Sequence, residues 1–418
     1  MQVPGTEPIS TRPAWETDWR AGGLDVGVSG YAYRLTPSRT AFAGIFLVTM
    51  LGLLAIGATL PVLPRYVTGE LGGTDVEVGI VAGAFAITGL ACRPLAGRLA
   101  DQRGRKRVVI FGALATAVAG VLYFVPAGVP GLVVARLFLG AGEGAVYTAG
   151  SAWVVDLAPP ERRGQLIGLY GLAIWGGLAV GPPVGELILH ASSFEAVWAF
   201  SALAPLAGAL IAMRIPEVFQ PRPQASGEPL VSREALRPGL GLSLSIVGYA
   251  AMAAFVVLHL DKEHVGHGAA VFTVFAASVV AGRLFFSWMP DRFGSVPCVI
   301  GAAISEAAGL LVIAAAPSLP VVVAGAVGMG VGFSLLFPAL ALLVVNRVPE
   351  ERRGVAMGTF TAFFDLGMGA GSPLAGAAAA IGGYEAAFLL AAVCALAAIA
   401  IAVSLRAVAA AAPAPASP

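Results

Sequence analysis

From residue 41 to residue 405 the chain is a succession of apolar segments with few charges inside them, and that succession leaves few ways to fold. The segments fall at 41–63, 76–98, 108–126, 131–154, 165–189, 195–214, 239–260, 269–289, 297–316, 320–345, 355–380 and 385–405. Each is near the ~20 residues that a membrane-spanning helix needs. Of 418 residues, 58% are hydrophobic and 12% charged, against about 25% charged in a soluble domain. That is too little polar surface to face water on all sides. Most of the chain must face lipid or other helices, with backbone polar groups satisfied inside helices. The expectation is an all-α membrane protein with twelve transmembrane helices, six on each side of a linker at 215–238 that is punctuated by Pro216, Pro221, Pro223, Pro229 and Pro238. The expected divisions are a polar N-terminal tail at 1–39, a first bundle at 40–214, the linker, a second bundle at 239–406 and an Ala/Pro tail at 407–418.

The basic residues give an orientation. One set of helix ends carries Arg98, Arg103, Arg105, Lys106, Arg107, Arg162, Arg163, Arg214, Arg233, Arg237, Arg292, Arg347, Arg352, Arg353 and Arg406, together with the arginines of the N-terminal tail. The other set carries only Arg65 and Lys262. Lys and Arg concentrate on the cytoplasmic side, so both termini are expected in the cytoplasm of a multi-pass protein of the cell membrane. A miscounted helix would scatter these charges across both sides. The stretch before Thr40 lacks the basic start and apolar run of a secretory signal.

A second regularity is internal. RPLAGRLADQRG at 93–104 returns in reduced form as RLFFSWMPDRFG at 283–294, so that Arg93, Gly97, Asp101 and Gly104 fall on Arg283, Ser287, Asp291 and Gly294. The offset is 190 residues, as 283 is from 93, and it also superposes Gly168 on Gly358, Gly177 on Gly367, Gly181 on Gly371, Pro183 on Pro373 and Glu195 on Glu385. One ungapped shift aligning so many landmarks indicates duplication of a large membrane unit.

These residues resemble the major facilitator superfamily, over the whole membrane part from about Thr40 to Arg406. GRLADQRGRKR at 97–107 resembles that family's signature between helices 2 and 3, and RLFLGAG at 136–142 its helix-4 motif. Gly168, Gly177, Gly181-Pro182 and Gly185 stand at the spacing of its helix-5 antiporter motif, with Glu186 where the family has a further glycine. The resemblance implies two pseudo-symmetric six-helix bundles that rock about a central cavity. It also implies that Asp101 approaches the start of helix 11 near Gly354, with Asp156 and an arginine completing a relay that latches the cytoplasmic side; Arg105 is a further gating candidate. Asp291 and Arg283 would be the second half's counterparts in gating. Basic loop residues can equally be topology signals against anionic lipid. For Asp101, a helix amino end favours a carboxylate by ~0.3–1 kcal/mol when exposed. Gly97 and Gly104 would permit tight turns and close approach.

Charges within the segments are costly, at least ~2.5 kcal/mol at mid-helix, and so become candidates for function. Arg136 and Glu143, two turns apart on helix 4, share a face; Asp365 lies mid-helix 11 and Glu306 mid-helix 9. All four are candidates for substrate binding or proton coupling. A carboxyl enclosed by apolar surroundings can take up and release a proton near neutral pH. Glu143 or Asp365 is therefore the expected proton carrier, with Arg136 as the group that drives the proton off. Arg93 and Arg283, nearer the basic ends, are expected to reach toward the interface or to form a gating ion pair. The glycines of helix 5 allow close helix packing in lipid, expected as a tight seam between the two halves, bent at Pro182-Pro183. Phe85, Tyr147, Trp153, Trp175, Phe333, Phe337, Phe360, Phe363 and Phe364 are either ordinary packing or the wall of a cavity.

Cys92, Cys298 and Cys394 have neither disulfide nor zinc spacing. His259, His264 and His267, with Asp261 and Glu263, are too loosely spaced to prefer a metal site over a wet polar loop. No nucleophile–base pair or phosphate-cradling loop is evident, so neither an enzyme nor an ATP-driven pump is expected, and no cofactor. With a formal net charge of +1, no nucleic-acid partner is expected. The expected function is a secondary active transporter working as a monomer in the bilayer, exchanging protons for a small, partly apolar molecule in efflux. A sugar or metabolite carrier is the alternative, and a non-transporting sensor on the same scaffold a further one.

Overall fold

A computed structural model describes residues 29–157, 163–217, 231–316, 318–349 and 352–411, the side chains of 29–39, 163–165 and 406–411 excepted. Most of the expected N-terminal tail, the centre of the linker and the last residues lie outside these. The chain divides into two units, Met1–Thr40 and Ala41–Pro418. In the first, the described backbone is helical. Everything below concerns the second.

Ten helices in the described residues are long and apolar enough to cross a membrane. The expected twelve follow from one helix outside those ten and one counted singly among them. Arg105–Leu122 is 18 residues long and opens on Arg105, Lys106 and Arg107, so its apolar part is shorter than the helix. Arg353–Ala411 is two helices merged across Gly383, where φ is 78°. The spans are α1 (Thr40–Glu70), α2 (Asp75–Arg103), α3 (Arg105–Leu122), α4 (Gly128–Leu157), α5 (Arg163–Ala191), α6 (Phe194–Arg214), α7 (Arg233–Lys262), α8 (Gly268–Phe286), α9 (Ser295–Ala315), α10 (Leu319–Val345), α11 (353–382) and α12 (384–411). A short helix, Met289–Phe293, joins α8 to α9. α7 begins at Arg233 rather than after Pro238, so the end of the expected linker is helical. Pro238 lies near the helix start, where a lost N–H costs less than in the interior.

Local sequence sets the breaks. Thr74 caps α2 in a reciprocal box with Glu77: the Glu77 backbone N–H donates to Thr74 Oγ1 at 3.3 Å and the Thr74 N–H to Glu77 Oε2 at 2.7 Å. Within α2 the helix is interrupted between Gly83 and Phe85. At the α2–α3 junction Gly104 has φ of 100°, a conformation glycine adopts without the steric cost a side chain brings. Gly294, its mate under the 190 shift, has φ of 88°.

The duplication is visible in the packing. α5 lies on α1 through glycines: a Cβ added at Gly181 would come within 2.5 Å of Gly57 Cα, and one at Gly185 within 2.0 Å of the Ala58 carbonyl oxygen. α11 lies on α7 likewise, with Gly367 against Ile246 and Gly371 against Val247. The helix-5 glycines thus form a seam inside the first half, not between the halves as the sequence suggested. Gly168 differs, since a Cβ there would meet nothing within 4 Å among the described residues.

Candidate functional site

The site grows from α2. Arg93 does not reach for the interface. It points inward, and its Nε donates to Asp365 Oδ2 at 2.7 Å while its Nη2 donates to Asp365 Oδ1 at 3.1 Å. Nη2 also lies 3.3 Å from Glu143 Oε2. The guanidinium carbon stands 4.9 Å from the centre of the Tyr147 ring. Three helices, α2, α4 and α11, therefore converge on one guanidinium. Asp365 comes from the second half, so the bidentate pair joins the two halves. Its side chain is 1% exposed; a buried pair needs such geometry to offset desolvation.

Arg136 is elsewhere. It is 2% exposed, and its Nε and Nη2 donate to the carbonyls of Val81 and Ala82 at 3.1 and 3.0 Å. Those carbonyls belong to the last turn before the break in α2, where helix acceptors lose their partners. Arg136 also stands over the Phe85 ring at 5.0 Å. It fastens a helix break, and Arg93, not Arg136, is the arginine beside Glu143 and Asp365. The expected shared face of Arg136 and Glu143 is present, because both side chains meet α2.

Glu306 is apart from this triad. It is 0% exposed, between α7 and α10, and takes a hydrogen bond from Ser245 Oγ at 2.7 Å. Its Oε1 has no partner among the described residues.

At the basic end, Arg105 is buried and holds two aspartates: Nη2 donates to Asp101 Oδ1 at 2.9 Å, and Nε lies 2.8 Å from Asp156 Oδ2. Among the described hydrogen bonds none joins Asp101 to the start of α11 near Gly354. Glu217, which sequence reasoning passed over, accepts from the Lys106 backbone N–H at 3.1 Å and caps α3. Gly104 is pressed against the Glu217 carboxylate, whereas a Cβ at Gly97 would be in ordinary contact with Thr148 at 3.7 Å, so no close approach is needed there. In the second half Asp291 is exposed and makes no ion pair among the described residues, and Arg292 stacks on Trp288 and Phe293.

At the opposite end Arg65 of α1 pairs with Glu186 of α5 and with Asp261 of α7, the latter at 2.8 Å. Glu186 is the residue that departs from the helix-5 pattern, and Arg65 one of the two cations on that side; together they were the available signal for this cluster. Pro182 packs beside Gly57 and shares a crevice with Met252, Val256 and Phe272. α2 and α11 also meet here at backbone distance: a Cβ on Gly79 would lie 2.4 Å from the Ser372 carbonyl oxygen, and one on Gly376 2.6 Å from that of Asp75. At the basic end, Cβ atoms on Gly168, Gly171, Gly354 and Gly358 would meet nothing within 4 Å among the described residues. His259 is not in a wet loop. It is buried on α7, 2.9 Å from the Ile313 carbonyl oxygen, and no group of ligands suited to a metal occurs among the described residues.

The aromatic residues divide. Trp175 of α5 packs on Tyr249, Phe275 and Phe333 of the second half at 6.0, 6.5 and 5.6 Å between ring centres. Trp153 is buried within the first half, and Phe337 stacks on Phe360 at 5.3 Å.

The comparisons with known proteins agree with this architecture. A family model described as Major Facilitator Superfamily matches residues 45–269 and 239–418. An uncharacterized MFS-type transporter of Salmonella typhimurium (strain LT2) is 37% identical over 358 residues, 83% of this chain and 91% of its own. One from Burkholderia mallei (strain SAVP1) is 36% identical over 363 residues, 84% of this chain and 88% of its own. Among solved structures, the human organic anion transporter MFSD10 matches with a TM-score of 0.68 at 20% identity, over 88% of this chain and 99% of its own. The nucleoside transporter NupG matches at 0.71 and 14% identity, over 88% and 98%. At such identities the likeness to the solved structures is one of fold.

Proposed function

The chain belongs to the Major Facilitator Superfamily and is a multi-pass membrane transporter; from that premise we propose that it works by alternating access, exporting small, partly apolar molecules in exchange for protons. The observation that carries this reading is the Arg93–Glu143–Asp365 triad, which sets one guanidinium against two carboxylates across the boundary between the halves. One cation and two anions leave a formal charge of −1 in apolar surroundings, where net charge is costly. A proton bound at Glu143 or Asp365 neutralises the triad and removes a claim on Arg93. Loss of the proton restores the pairing that holds α2 to α11. The proton's arrival and departure thereby change the strength of the link between halves, which is the coupling an exchanger needs.

In this reading the basic end is cytoplasmic. The tight α2–α11 approach and the Arg65 cluster close the external side, while the glycines of α5 and α11 that have no neighbour within 4 Å among the described residues support a parted cytoplasmic side. Asp101, Arg105 and Asp156 then form the part of a latch that engages α11 when that side shuts. Glu306, which makes no ion pair among the described residues, is a packing residue. The working unit is a monomer.

The test is transport in proteoliposomes after a pH jump, with an internal pH dye and a panel of solutes. Proton movement that depends on one solute is expected, and its loss in Glu143→Gln and Asp365→Asn. Solute flux of undiminished rate and pH dependence in both variants would overturn the coupling role.

A further inference from the structure

The 190-residue shift that relates the halves carries Arg93 to Arg283, Glu143 to Phe333, Tyr147 to Phe337 and, in the other direction, Asp365 to Trp175. These mates stand together in space as the originals do. The Arg283 guanidinium carbon is 5.4 Å from the Trp175 ring centre and 5.9 Å from that of Phe337, and Phe333 packs on Trp175. Where Asp365 crosses from the second half to grip Arg93, Trp175 crosses from the first half to cover Arg283. The socket is the same and its contents are opposite. Both carboxylates are replaced by rings, and the phenol of Tyr147 by a phenyl.

Arg283 consequently has no anionic partner among the described residues. No ion pair involves it among the described residues, and its Nε is shielded from solvent with no hydrogen-bond acceptor among them. At Arg93 the corresponding Nε donates to Asp365. Ring faces attract a guanidinium, but they accept none of its N–H bonds, and a half-buried guanidinium held this way keeps a donor fork shaped for a carboxylate.

We propose that Arg283, Trp175 and Phe337 form the binding site for an organic anion whose acidic group takes, on Arg283, the place that Asp365 takes on Arg93, and whose planar apolar body lies against the rings. This inference deepens the export reading above by naming the class of solute, and it rests on that reading only for the statement that the bound anion is carried. Binding at equilibrium needs no proton gradient, so it is tested separately.

The experiment uses the full chain in lipid nanodiscs and three probes of one shape: 1-naphthoate, 1-naphthalenemethanol and 1-naphthylmethylamine. Binding is read by calorimetry. The naphthoate is expected to bind at least about tenfold more tightly than the neutral and cationic analogues, a difference of about 1.4 kcal/mol. Arg283→Met is expected to erase that preference and Arg283→Lys to keep part of it. Phe333→Glu, which supplies the carboxylate that Glu143 supplies in the other socket, is expected to abolish naphthoate binding while leaving the Arg93 triad intact. Each variant is first shown to elute as the wild type does. Failure of naphthoate to bind, equal binding of all three probes, or unchanged naphthoate binding in Arg283→Met and Phe333→Glu would overturn the proposal. If Glu143→Gln and Asp365→Asn leave proton exchange intact but naphthoate binding follows Arg283, the coupling role fails and this site stands.

Discussion

Arg93 and Arg283 occupy equivalent places in the two halves and meet opposite company. Arg93 holds Asp365 bidentately, with Glu143 at 3.3 Å and the Tyr147 ring alongside. Arg283 lies between the Trp175 and Phe337 rings. The scaffold is alike, since α2 meets α11 as α8 meets α5. What separates an ionic centre from an aromatic one is the exchange of a few side chains. The lesson is that duplication preserved where a guanidinium is held and left open what it is held against. A protein with two such places can give one to its coupling ion and the other to its cargo.

The contrast is broken most forcefully at Asp365. Asp365→Ala leaves Arg93 without its bidentate partner, and removing one member of a buried pair costs about 3–5 kcal/mol. A marked fall in melting temperature in detergent is expected, together with loss of solute-driven proton flux; an unchanged melting temperature would mean that the triad is not a desolvated centre. Next comes the loop. Asp101→Asn loosens the Arg105 cluster and is expected to slow transport several-fold with insertion unchanged, while Asp291→Asn, whose parent makes no ion pair among the described residues, leaves the rate within experimental error. Equal slowing by both would erase this difference between the halves. Glu306→Gln can keep the Ser245 bond and has no cation to abandon, so its effect on stability is expected to stay within about 1 kcal/mol and its transport close to wild type. A loss as large as that of Glu143→Gln would place Glu306 in the coupling path. The smallest effect belongs to Arg65→Ala: a partly exposed ion cluster contributes about 0–1 kcal/mol, seen as a slight drop in melting temperature that shrinks further in high salt.

Much of this was legible in the chain. Apolar run length gave the helices, the Arg/Lys asymmetry their alternation, and the constant shift their pairing. The limits of that reading are just as specific. Position along a helix says how deep Arg93 lies but not which neighbour faces it, and its partner Asp365 is supplied by a helix from the other half. Arg136 shares a face with Glu143, as its spacing required, but its partners are backbone carbonyls released by a break in α2 that no proline announces. The glycines of α5 promised a close seam without naming the second helix, which proved to be α1. His259 read as part of a polar loop because it was grouped with His264 and His267, although it lies inside the apolar run 239–260 and on α7. The mates Trp175 and Asp365 were available in the sequence, yet chemically they have nothing in common, so only their shared surroundings reveal them as a pair.

The ring cluster around Trp175 has a practical side. Trp175 is fixed to the first half, while Tyr249, Phe275 and Phe333 are fixed to the second. Any rocking that separates the halves must slide this indole past its neighbours and change its dielectric surroundings. Trp153 and Trp198 keep their company within the first half throughout. A chain whose other tryptophans are replaced by phenylalanine would therefore carry its own emission gauge at the hinge, reporting each turnover as a colour change without any attached dye.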